Sequence, residues 1–176
     1  MFAKVTSLFG GIGATPAVAV DQPLGNFAER VRILDRDPYL SVADTQLRLI
    51  SVFDDLKYDR ADMDVLSGPM RRRARDKLRP LGFVQASGHV FENRAEDIRM
   101  LLPKFRALGA SPFDAINDTP RRTQDYFILT PTQTACQIID HYDVEDAVER
   151  IKTLIEKHPI NLLRLAACLE RKDTHR

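Results

Sequence analysis

Residues 125–142 read DYFILTPTQTACQIIDHY, and no other stretch restricts the fold as tightly. Tyr126, Phe127, Ile128 and Leu129 form an uncharged run of strand-favouring side chains. Thr130 then offers an N-cap oxygen, Pro131 suits the first helical position, and Gln133 falls three residues after the cap. These residue types predict a strand over 125–130 that feeds directly into a helix ending at Tyr142. Thr132, Thr134 and Gln137 are expected on the exposed side of that helix.

Elsewhere helical spacing dominates. Phe27, Val31 and Leu34 mark a short helix that stops before Pro38. Ser41, with Asp44 three residues on, predicts the start of a longer helix over 41–57, whose inward stripe is Val42, Leu49, Val52, Phe53 and Leu56. A short helical turn is expected over 59–66. Ser67-Gly68-Pro69 restarts a helix over 69–80 on the narrow apolar row Met70, Ala74 and Leu78, ended by Pro80 and Gly82. "FVQ" and "HVFE", separated by "ASG", predict a hairpin over 83–92 with Gly88 available for positive φ. Asn93 and Glu96 then read as a helix cap and its box partner, opening an amphipathic helix bent at Pro103 and closed by Gly109. Residues 110–125 read as a loop with one turn of helix. Two further helices are expected at 144–157 and 159–171.

These elements predict a mainly α protein: α+β only through a small β-hairpin, with a C-terminal three-helix segment. The segments are a flexible or partner-ordered arm over 1–24, a helical segment with hairpin over 25–109, and a strand plus three helices over 125–171. The last two can share one core.

Charge bears on function through its placement. The chain of 176 residues has a formal net charge of +1, so bulk attraction to nucleic acid or membrane is excluded and local patches must act. Six basic side chains fall within nine positions: Arg71, Arg72, Arg73, Arg75, Lys77 and Arg79. An acidic segment answers them at 140–149, where Asp140, Asp143, Glu145, Asp146 and Glu149 precede Arg150.

The order helix, helix, basic helix, hairpin over 41–92 resembles a winged helix. That resemblance implies a third helix in the major groove of duplex DNA, with Arg71, Arg72, Arg75 and Arg79 on phosphates or bases.

Chemistry-bearing motifs are sparse. "GGIGATPA", 10–17, has Pro16 where a dinucleotide loop needs its third glycine, and there is no GxxxxGK[ST], HExxH or GxSxG. His141 lies between Asp140 and Asp143, but adjacent residues on a helix point apart, so no metal site is expected. No cofactor, metal or catalytic residue is assigned, and the chain is expected not to be an enzyme. Cys136 and Cys168 lie outside any CxxC pair and suit buried thiols in a reducing, cytoplasmic compartment. The uncharged stretch 5–20 is too interrupted by Gly and Pro for a signal or membrane span, so no membrane is expected.

The function these features predict is a non-catalytic protein-interaction or assembly module. It docks a protein partner or another copy of itself through Arg71, Arg72, Arg75, Lys77 and Arg79 and through Asp143, Glu145, Asp146 and Glu149. Binding of duplex DNA by a winged-helix regulator is the alternative.

Overall fold

The computed structural model describes residues 27–54, 66–103 and 112–173. The expected arm over 1–24 and all but the last residue of the turn over 59–66 lie outside them. Strands β1 (Leu40–Asp44), β2 (Leu49–Val52), β3 (Val84–Ser87), β4 (Val90–Asn93), β5 (Ile98–Leu101) and β6 (Tyr126–Leu129) form one mixed sheet in the order β1-β2-β6-β5-β4-β3. The last strand in sequence is central, parallel to both β2 and β5, while the outer pairs are antiparallel. The fold is therefore α/β, not mainly α or all-α.

Helices cover both faces. On one face α1 (Phe27–Val31), with the 3-10 turn that follows it, and α2 (Gly68–Leu78) bury Phe27, Val31, Leu34, Met70, Ala74 and Leu78 against Ile50, Met100 and Ile128. On the other, α3 (Pro112–Asn117), α4 (Pro131–His141) and α5 (Val144–Ile155) place Ile116, Ile138 and Ala147 against Leu49, Leu101, Phe127 and Leu129. A last helix, α6 (Leu162–Asp173), packs on α4.

Two expected helices are strands, for one shared reason. Over 40–52 the chain makes the β1–β2 hairpin where spacing predicts a helix over 41–57, and Leu49, Ile50, Ser51 and Val52 are all buried because both sides of β2 are covered. Such a strand loses its alternation and reads like a helix stripe. Over 93–102 it makes the turn into β5. Asn93 Oδ1 accepts from the N–H groups of Ala95 and Glu96, and Asp44 Oδ1 accepts from Leu47 N. An Asx turn uses the same side-chain-to-backbone bonds as an N-cap, so the local signal is the same. Both four-residue loops end on a non-glycine residue with positive φ, Arg48 at 55° and Asp97 at 50°.

With strands in place of the helix over 41–57, the winged-helix order is absent. The β3–β4 connection is Gly88-His89 with a register shift, and Gly88 does not take positive φ. Gly82 does, at 85°, and a Cβ there would stand 3.2 Å from Asn93 Nδ2, which donates to the Leu81 carbonyl. Gly82→Ala is expected to cost about 1–2 kcal/mol, read as a lower urea midpoint at unchanged m-value. Unchanged stability would mean the turn relaxes freely.

Candidate functional site

Helix α2 starts at Ser67, whose Oγ accepts from Met70 N and donates to Asp54 Oδ2 at the end of β2. That cap fixes the rotation of the basic helix. With Met70, Ala74 and Leu78 inward, helical geometry puts Arg73 and Lys77 on one flank and Arg71, Arg75 and Arg79 on the other, with Arg72 facing away from the core.

On the first flank both cations pair within the molecule with one carboxylate. Arg73 Nη1 lies 3.2 Å from each oxygen of Asp37, Lys77 Nζ lies 2.9 Å from Oδ2, and Tyr39 N donates to Oδ1. Burial raises the Asp37 pKa, but the Lys77 bond, the Tyr39 N–H and both positive charges outweigh it and hold the carboxyl below its usual value. The Arg73 guanidinium also stacks 4.2 Å from the centre of the Tyr39 ring. Lys77, expected as a docking residue, is therefore a structural cation. Arg73 is one as well.

The second flank faces outward. Arg71 Nε donates to the Leu66 carbonyl, and Arg75 meets only the exposed neighbour Asp76. Arg72 and Arg79 are exposed and have no ion-pair partner among the described residues. Arg71, Arg75 and Arg79 recur every fourth residue, about 6 Å apart along the axis. Beside the first flank lies a hollow of about 330 Å³ whose charged lining is Arg72, Arg73 and Lys77 with Asp54 and Asp76.

The acidic segment lies on α5, across the sheet. Asp143 is the N-cap and accepts from Asp146 N. The only cation of that stretch is drawn inward: Arg150 Nη1 lies 2.7 Å from Asp44 Oδ2, and its guanidinium stacks 3.9 Å from the Tyr142 ring centre. Glu145, Asp146 and Glu149 stay exposed, with no ion pair among the described residues. Next to them Val144, Val148 and Ile155 are 78%, 46% and 47% exposed. Sequence spacing gave no signal for this surface, since Val144, Val148 and Ile155 share with Ala147, Ile151 and Leu154 a stripe of ordinary width for one buried face. Ala147 and Leu154 are the positions of α5 that are fully buried.

Thr132, Thr134 and Gln137 are buried rather than exposed, because α4 is flanked by the sheet, α5 and α6. Ser51 Oγ and His158 Nδ1, 2.7 Å apart, have the composition of a nucleophile–base pair. Both side chains are sealed at 0% exposure, so the bond anchors the end of α5 to β2 and reaches no substrate.

Among the described residues no group of three or more His, Cys, Asp or Glu side chains is placed to hold a metal, and no helix is long and apolar enough to cross a membrane. No protein-family model, curated protein or solved structure matches the chain.

Proposed function

We propose that the protein is a non-catalytic assembly module in which the Arg71/Arg75/Arg79 flank of α2 docks on the acidic surface of α5 in a second copy. The supporting observation is that two surfaces of opposite sign, one rich in arginine and one in carboxylates, sit on opposite sides of one sheet. Residues 70, 74 and 78 belong to one core and 147 to the other, so the two surfaces cannot meet within a molecule. The arginines and the pair Glu145/Glu149 share the four-residue helical spacing, which lets two pairs form in register. Such head-to-tail contact produces rings or open stacks rather than a two-fold dimer.

Exposed ion pairs contribute about 0–1 kcal/mol each, so the charges orient and accelerate the encounter while Val144, Val148 and Ile155 supply adhesion. Two cysteines outside any paired motif suit a reducing compartment, and the reading places the assembly in the cytoplasm.

The triple change Arg71→Glu, Arg75→Glu, Arg79→Glu is expected to weaken self-association about 10–100-fold at low salt, measured by sedimentation equilibrium. Mixing that variant with Glu145→Arg, Glu149→Arg is expected to recover part of the loss. A wild-type chain that stays monomeric at low salt, or that binds duplex DNA with a steep salt dependence instead, would overturn the proposal.

A further inference from the structure

Cys136 on α4 and Cys168 on α6 are 0% and 5% exposed, and their side chains pack together with Leu165 in a cluster separate from both main cores. They carry no disulfide. Neither belongs to the docking surfaces of α2 or α5. Among the described side chains of α6 Cys168 alone is fully buried, and Leu162, Leu163 and Leu169 are 70%, 83% and 43% exposed. Its start is tied down by the Asn161 N–H bond to Thr132 Oγ1. An element with so little buried surface opens at low free-energy cost. Because the two cysteines share one buried cluster across α4 and α6, opening of α6 uncovers that cluster and closure restores it.

We propose that Cys136 and Cys168 are a reversible redox site, forming an intramolecular disulfide that clamps α6 onto α4. The oxidant is a low-molecular-mass disulfide of the glutathione class. The Cys168 thiolate, on the loosely held helix, attacks one sulfur of that disulfide and releases one small thiol. The Cys136 thiolate then attacks the Cys168 sulfur of the mixed disulfide and releases the second small thiol. The protein loses two electrons and two protons, and the oxidant gains both as two thiols. Placement on two different helices makes the bond consequential, since it ties α6 to α4 covalently.

The test incubates the full-length chain with glutathione disulfide under native conditions and reads intact mass without reductant. The expected product is a monomer lighter by two hydrogens, reverting on addition of reduced glutathione. In that product, amide exchange in α6 is expected to slow by at least tenfold. Cys136→Ser and Cys168→Ser should each lose the bridged product, with Cys136→Ser retaining the mixed disulfide. A wild-type chain that stops at a mixed disulfide, stays a dithiol, or cross-links only between molecules would overturn the proposal. The wild-type measurement decides the matter even where a serine variant folds poorly.

Discussion

Replacing Asp125 by alanine is expected to lower the unfolding free energy by about 3 kcal/mol. Its carboxylate is fully sealed immediately before the central strand β6. Arg99, on the neighbouring strand β5, donates to it through both Nε and Nη2. Arg122 donates through its backbone N–H, at 2.7 Å, and through Nε. Burial raises the Asp125 pKa, but the Arg99 bond, the Arg122 N–H and the two guanidinium charges reverse that and leave it below the usual carboxylate value.

Alanine removes all these acceptors at once and leaves Arg99, 29% exposed, facing a dry gap. The figure stays below that for a fully buried pair because both guanidiniums can recover some water. Asp125→Asn, which keeps the shape and one acceptor oxygen, should lose about half as much. Urea titration decides between the two. A loss under about 1 kcal/mol for alanine would show that solvent already screens the cluster.

His158 should make stability fall by about 3 kcal/mol as pH drops from about 6.5 to about 4. Burial against β2 pushes the imidazole down to about 4, and nearby Lys157 adds to this; the Pro38 carbonyl and the more distant Asp35 and Asp37 oppose it only in part. Nε2 makes no well-formed hydrogen bond, while Nδ1 meets Ser51 Oγ at 2.7 Å with Phe53 stacked 5.8 Å away. Folded His158 therefore stays neutral in a range where the unfolded chain takes up a proton. The unfolded state binds more protons between those values, so acid favours it. The contribution is fully present above about 6.5 and lost as pH falls through about 4. Asp37 and Asp125, whose values are lowered, act in a more acidic window and do not obscure it. In His158→Gln the slope between pH 6.5 and 4 should flatten whatever the overall stability. An unchanged slope would assign the acid sensitivity elsewhere.

Local signals were legible wherever the chain closes its own hydrogen bonds. The capping box at Thr130, with Gln133 N donating to Thr130 Oγ1 and Gln133 Oε1 accepting from Thr130 N, needs only residues three positions apart. The basic helix between Ser67 and Gly82 follows from its cap, its proline and its left-handed glycine in the same way. Those signals fail where two structures use the same bonds. Asn93 and Asp44 each satisfy the N–H groups that follow them, as a turn or a helix start requires, and the choice depended on a strand pairing beyond the loop.

The surfaces divide along the same line. The sequence by itself determined that positive charge gathers on one helix and negative charge on another, and that a strand runs into a capped helix at 125–131. Only the tertiary structure decided which cations act outward, because Asp37, more than thirty positions away, engages Arg73 and Lys77. It also decided that β6 enters between β2 and β5, burying both faces of the central strands and erasing the alternation that marks a strand. Pairings of this kind join residues far apart in the chain, and their energy comes from apolar area removed from water on both sides of the sheet, a quantity that no local spacing encodes.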